Sequence, residues 1–524
     1  MPVLSFLTSV RDSGGTNSSE IRIITPKELT QQHMRNSSNG GGAGDGGDDD
    51  VDRISDLPEE LIQSILIRLP STAAAARTSV LSRRWRDVWT RLPSLSFTWE
   101  CQHGRPDAIE AALAAYSAPT CQHGRPDAIE AALAAYSAPT VPRLAISLGC
   151  PYPPRSAVAG WLEFAAWRVA GSLTLNFPRY YCSVDLPVCE RATSISIHGQ
   201  NSLRLPPVGS FAALTALTIT GAFLEGGGFE DVLSSSRCPR LQRLKVRGVM
   251  LRTAADDDVS IRSGSLERLD FFVHGVARLE VAAPRLRCFR AALEARGDGV
   301  PEASIAAPML EAVDWHGAFD AQRHLFLEAG RRLQRLAVFD VPTAALMRRF
   351  HIVDELVLSF GIAPGTQGYR MFLDATIFFA RCEVLDLHMT TRRHSFTSAA
   401  FHLLNRSAGV RKLMIHLPRM GNKSCIEGCP CSLPDSCKTD KIQLDSLKEV
   451  EILGFRGDVH HLKFINLLLK CHVPILKKLY IKVSKDVKSL NKRTSHKIRR
   501  IIDDHPDIDV EFNLPLEESV EGYK

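Results

Sequence analysis

No stretch of this chain approaches the roughly 18 consecutive apolar residues that suggest a membrane span. The segment from Met1 to Val10 also lacks the basic start and sustained apolar core of a secretory signal. Membrane insertion and export are therefore not expected, and the expected location is cytoplasm and/or nucleus. Aromatic residues make up only 7% of the chain, and the net charge of +6 is mild for 524 residues, so the overall balance does not point to nucleic acid. The 13 cysteines are an odd number scattered along a chain without an export signal, which excludes a disulfide framework in favour of reduced interior thiols. There is no phosphate-cradling glycine loop with a lysine, no nucleophile elbow and no HExxH pattern. No catalytic residue, cofactor or metal is expected.

What is present is a folded composition, 44% hydrophobic and 23% charged, and one dense helical stretch at residues 52–92. Pro58 suits a first helical turn, and Glu59 and Glu60 place negative charge at the positive end of a helix. Leu61, Ile62, Ile65, Leu66 and Leu69 recur at helical spacing until the Leu69-Pro70 pair. Ser71 is a candidate N-cap for a second helix over 72–78, and a third is expected to carry Val80, Leu81, Trp85, Val88 and Trp89 beside Arg83, Arg84 and Arg86. So short a module cannot bury all these side chains within itself, and a partner is expected to cover the rest.

The run LPEELIQSILIRLP followed by ARTSVLSRRWRDVW resembles the F-box of plant F-box proteins. The resemblance implies docking on a Skp-type adaptor, and through it on the cullin and RING subunits of a ubiquitin ligase, while the rest of the chain selects a protein substrate. By the same resemblance the adaptor-facing positions are Leu57, Pro58, Leu61, Ile65, Leu66, Leu69, Val80, Leu81, Trp85 and Trp89. Trp85 and Leu81 could instead belong to the core of the module itself.

Residues 1–51 are read as a disordered leader, rich in Ser, Asn, Gly and Asp and ending in GGGAGDGGDDD; 52–98 as the F-box; and 99–140 as a linker. From about Val141 a beat recurs, with two apolar residues one position apart and often a third just upstream. Examples are Leu144/Ile146, Leu173/Leu175, Ile195/Ile197, Leu217/Ile219, Leu244/Val246, Leu269/Phe271, Val313/Trp315, Leu336/Val338, Leu356/Leu358, Leu385/Leu387, Leu413/Ile415, Val450/Ile452 and Leu479/Ile481. Most lie some twenty to thirty residues apart, the period of a leucine-rich-repeat solenoid with one short strand per turn, here irregular and assigned to 141–440. An unrelated α/β fold with many strands is the alternative.

Residues 441–484 resemble the FBD domain that follows the repeats in many plant F-box proteins, and could equally be the last repeat and its cap. Residues 485–524 are read as a charged tail. Between Lys470 and Arg500 there are eleven Lys or Arg against the single acid Asp486; with only Tyr480 interleaved, a solvated face is favoured over nuclear import or nucleic-acid contact.

Three local features complete the picture. Residues 101–120 are repeated unchanged at 121–140, each copy encoding a short helix, and one copy is expected to be dispensable. Gly226, Gly227 and Gly228 are read as a flexible loop between beats. Cys425, Cys429, Cys431 and Cys437 could hold zinc tetrahedrally. Their gaps of three, one and five residues depart from paired knuckles, however, so the stretch is read as a loop, and the other histidines have no partnered pattern.

The fold expected is α/β: an N-terminal three-helix F-box, then an irregular leucine-rich-repeat solenoid of parallel strands with helical or loop crossovers, ending in an FBD-like cap. The expected function is a non-catalytic substrate receptor in a Skp–cullin–F-box ubiquitin ligase. A non-degradative repeat scaffold and, further off, a nucleic-acid-associated protein are the alternatives.

Overall fold

The computed structural model describes residues 57–69, 71–99, 126–148, 155–177, 183–225, 233–252, 258–294, 299–340, 343–407, 409–419, 425–426, 428–432, 442–487 and 492–513. The expected leader, the first copy of the duplication, the 226–228 glycines and Cys437 lie outside these residues. The chain divides into two units, Met1–Pro58 and Glu59–Lys524. Everything below except Leu57 and Pro58 belongs to the second.

Helix α1 (Glu59–Ile67) carries Glu59 and Glu60 in its first turn. The Ala74 amide donates to the Ser71 hydroxyl at 3.2 Å, opening α2 (Thr72–Arg77) as the capping residue predicts. The third expected helix is broken. A 3-10 turn occupies Thr78–Val80, and helix resumes only at α3 (Trp85–Val88), followed by a 3-10 turn over Trp89–Arg91. The Thr78 hydroxyl donates back to the Ala75 carbonyl at 2.6 Å, and the Ser82–Arg84 run offers nothing apolar to bury, so the backbone turns until Trp85 and Val88 find the core.

One strand from each turn joins a long parallel ladder in chain order, and further strands lie in the returning connections. Two apolar columns run through it in register. The first passes Leu95, Leu144, Leu173, Ile195, Leu217, Leu244, Leu269, Phe289, Val313, Leu336, Leu356, Leu385, Leu413, Val450, Leu479 and Val510. The second lies two residues on in each strand, from Phe97 to Phe512. Most members of both columns are essentially free of solvent, while most residues between them are half-buried on the opposite face, with Asp314, Ala337 and Val357 buried. This is the period-two pattern of a sheet with one covered face.

The ladder is longer than the sequence suggests at both ends. The strand Ser94–Trp99, expected within the F-box, pairs in parallel with Val141–Leu148. Strand Asp509–Asn513, expected within a charged tail, pairs with Lys478–Val483. The turn carrying Phe289 and Ala291 is a further strand, Cys288–Glu294.

The connections cover the buried face in two ways. Helices α4 (Pro126–Ala135), α5 (Arg155–Arg168), α6 (Ala344–Arg349), α7 (Gly365–Ala375), α8 (Phe396–Leu404), α9 (Val459–Leu469) and α10 (Lys492–Asp503) lie in the turns toward either end. The turns between them return through extended chain, first by the short parallel strands Val184–Asp185, Ser202–Arg204 and Phe223–Glu225 and then by a second parallel sheet, Asp258–Arg262, Arg278–Ala282, Glu302–Ala306 and His324–Leu327.

Helix α4 comes from the second copy of the duplication and is built into the core: Ile129, Leu133 and Tyr136 are buried, and the Tyr136 hydroxyl donates within reach of the Leu92 and Thr140 carbonyls, at 2.9 and 3.1 Å. Because the copies are identical, excising 101–120 or 121–140 gives the same chain, with a short connection from the first strand to this helix. That chain is expected to melt at the same temperature as the parent; a drop of several degrees in a thermal scan would contradict this.

Several imidazoles are enclosed. Burial, helped by Arg406, pushes His402 down from 6.5 to about 4, and burial also lowers His324 and His461. Between those two values the unfolded chain binds the proton that folded His402 refuses. Stability is therefore complete above about pH 6.5 and falls as pH drops toward 4. Thermal melts across that window should show a declining midpoint, with a shallower decline in His402→Gln; a pH-independent midpoint in the parent would rule this out.

Candidate functional site

Two surfaces emerge. One is the apolar face of the N-terminal helical module; the other is the open face of the ladder.

In the module, α1 is apolar on two faces, and the structure tells them apart. Ile62 and Leu66 point inward with Trp85, Val88 and Leu92, all nearly solvent-free. Leu61 is 50% exposed, Leu81 41% and Val80 88%, while Ile65, Leu69 and Trp89 are half-buried. Of the ten positions expected to face an adaptor, Leu66 and Trp85 are 2% and 4% exposed and pack within the module's own core. Leu81 lies outward. Ile67, 45% exposed, belongs to the outer face and was not anticipated. Pro58 is exposed and Leu57 half-buried, both at the end of the separate N-terminal unit.

The module is fastened to the ladder. The Ser96 amide donates to the Thr72 hydroxyl at 2.7 Å, joining the start of α2 to the first strand. On the far side the Ser137 amide donates to the Thr90 carbonyl at 3.0 Å, and the two hydroxyls of these residues lie 3.0 Å apart. These bonds, with the Tyr136 hydroxyl on Leu92, bind the module to both the first strand and the segment after α4.

On the open face polar side chains between and beside the columns form rows that the sequence reading did not find. Asp270, Arg290 and Asp314 occupy successive in-register positions between the columns, Arg247 lies past them, level with Phe272, and Arg335 and Glu355 lie ahead of them, level with Ala312. Asp270 lies 3.2 Å from Arg247, Asp314 2.9 Å from Arg290 and also against Arg335, and Arg335 3.3 Å from Glu355. Each cation meets an anion, so the stripe is internally neutralised and offers little to a polyanion. Beside it Arg247 sits over the Phe272 ring at 4.3 Å, Phe272 meets His316 at 4.9 Å, and His316 stacks on Phe339 at 4.1 Å. Further along, His388 and His416 stack at 3.5 Å with Asp386 next to both. A groove lined by Asp340, Ser359, Gly361, His388, Arg392 and His416 continues from this row. Such rows follow from the even residues of each beat, a signal present in the sequence but masked by the stronger apolar columns.

The basic run is folded into the ladder's end. Lys477, Lys478 and Lys482 are exposed beside the inward Leu479 and Ile481, as expected of a solvated face, and Asp486 is held between Arg456 and Arg419. Its hydrogen bonds to Arg456, Ser484 and Arg419 keep the carboxyl well below the usual range. No helix among the described residues is long and apolar enough to cross a membrane. Two groups of side chains among the described residues have metal-ligand character: Asp386, His388 and His416 on the open face, and a buried group around His394.

The chain thus joins a small helical module with an exposed apolar face to a solenoid of parallel strands. Comparison with known proteins specifies it further. Residues 54–97 match the F-box domain model. F-box/LRR-repeat protein 25 of Arabidopsis thaliana is 28% identical over 251 residues, covering 46% of this chain and 85% of that protein. F-box/LRR-repeat protein At5g02910 of the same plant is also 28% identical, over 250 residues, covering 46% of this chain and 48% of that protein. The putative FBD-associated F-box protein At5g56400 is 28% identical over 209 residues, 38% of this chain and 40% of its own length. The chain thus carries an F-box followed by a leucine-rich-repeat type solenoid, and has homologues among F-box/LRR-repeat and FBD-associated F-box proteins. The match spans about half the length of several of these relatives.

Proposed function

We propose that this chain is the substrate-recognition subunit of a Skp–cullin–F-box ubiquitin ligase. An F-box implies a Skp-type adaptor in general. The observation that supports the finer reading is the outward apolar set Leu61, Val80 and Leu81 on a module hydrogen-bonded to the ladder. Ile65, Leu69 and Trp89 would flank it, and Leu57 and Pro58 join the proposal on sequence grounds alone. Each such side chain contributes roughly 1.5–3 kcal/mol when fully desolvated, before association entropy is subtracted.

The substrate is proposed to be a protein held on the open face, where Phe272, His316 and Phe339 provide aromatic anchors beside a neutralised charged stripe. Aromatic residues with arginine neighbours are the side chains most often found at binding hot spots. The chain would then contribute no reacting group. Its part is to hold a target near the conjugating enzyme, which raises the effective concentration of the target's lysines.

The test is capture of a Skp-type adaptor by the full chain. Val80→Asp with Leu81→Asp is expected to weaken capture by at least about tenfold while lowering the melting temperature only slightly, since Val80 is almost wholly in water and Leu81 is 41% exposed. Trp85→Ala, by contrast, should cost about 3–5 kcal/mol of stability by emptying the module's core. Undiminished capture by the double variant would remove the interface, and no capture by the parent would favour a scaffold outside any ligase.

A further inference from the structure

The connection from the strand Lys412–His416 to the strand Glu449–Phe455 is the longest between neighbouring strands after α4, and it carries Cys425, Cys429 and Cys431. The ladder brings it over His394, which lies just before α8 in the preceding turn. One ligand-capable atom from each of these four residues lies within 4.8 Å of all the others. His394 Nδ1 is 3.3 Å from the Cys425 sulfur and 3.6 Å from the Cys429 sulfur. A tetrahedral zinc centre, with Zn–S of about 2.3 Å and Zn–N of about 2.0 Å, places sulfur and nitrogen about 3.5 Å apart.

The surroundings suit a cation. His394 Nε2 lies 2.8 Å from the Ala363 carbonyl oxygen, which can only accept, so Nε2 carries the hydrogen and Nδ1 turns its lone pair toward the sulfurs. Gly428 has φ of +76°, a conformation that lets the short loop between Cys425 and Cys429 reverse. The Ser398 hydroxyl donates to the Cys431 carbonyl at 2.7 Å, fixing the loop to α8. His394, Cys429 and Cys431 are almost completely buried and Cys425 closes the outer side, leaving no open coordination position.

We infer that His394, Cys425, Cys429 and Cys431 form a closed structural site for a tetrahedral divalent metal of the zinc class. On uptake the three thiols release three protons and the imidazole binds neutral, leaving a centre with one negative charge. The metal ties the long connection to the turn before it, and its binding free energy becomes folding free energy for this part of the ladder. The set was missed in the sequence because the fourth ligand is a histidine from the turn before, not the next cysteine along the chain.

The test uses the full chain purified from zinc-supplemented cells and, separately, reconstituted with cobalt(II). The parent is expected to hold about one zinc, to give a cobalt form with thiolate charge-transfer absorption and the intense d–d bands of a tetrahedral site, and to melt lower after chelation. Cys429→Ser and His394→Ala should each lose the metal, whereas His388→Ala with His416→Ala, which dismantles the open-face group, should keep it. A parent without zinc whose cobalt form lacks thiolate charge transfer overturns the assignment, whether or not the variants fold. So does zinc retained in both Cys429→Ser and His394→Ala, or lost only in the open-face variant.

Discussion

The whole architecture depends on one constraint: a single turn of this chain cannot bury its own pair of inward side chains. Leu244 and Val246 are covered only because Leu217 and Ile219 lie on one side and Leu269 and Phe271 on the other. Stability is thus a sum of neighbour contacts, as in other repeat solenoids. The two ends must be treated differently, and they are. The N-terminal end is closed by the helical module and α4, whereas Val510 and Phe512 at the other end remain half-buried beneath α10.

This constraint also separates structure from recognition. The columns consume the odd residues of each beat, which leaves the even ones to face outward with little structural duty. There the chain places Arg247, Asp270, Arg290 and Asp314, whose mutual neutralisation costs less than leaving half-buried charges unpaired. The helical module and the ladder face can then act as two surfaces on one unit, because the Ser96–Thr72 and Ser137–Thr90 bonds leave little room for a hinge between them.

Much of this was legible in the sequence. The beat of two apolar residues one position apart identified most ladder strands, because period two survives any variation in crossover length. It failed where a column residue is small, as at Ala291, or where its neighbours are charged, as at Val510 and Phe512 among Asp509, Glu511 and Asp507. The second sheet was invisible because its strands are short and alternate Val or Ile with Arg, Glu and Ser. In the module, helical spacing revealed the apolar stripes of α1 but not which one faces inward. Only the position of Trp85 decides that Ile62 and Leu66 are core and Leu61 is surface. The group around His394 depends on the stacking of successive turns, a long-range fact that no local motif encodes.

The central claim is that the outward apolar face of the module is a docking surface held in fixed relation to the ladder. Amide hydrogen exchange on the full chain, alone and saturated with a Skp-type adaptor, tests it most directly. The account predicts slowed exchange confined to residues 59–69 and 78–89, with the ladder unchanged. Protection that spares those segments and falls on the ladder face would contradict it.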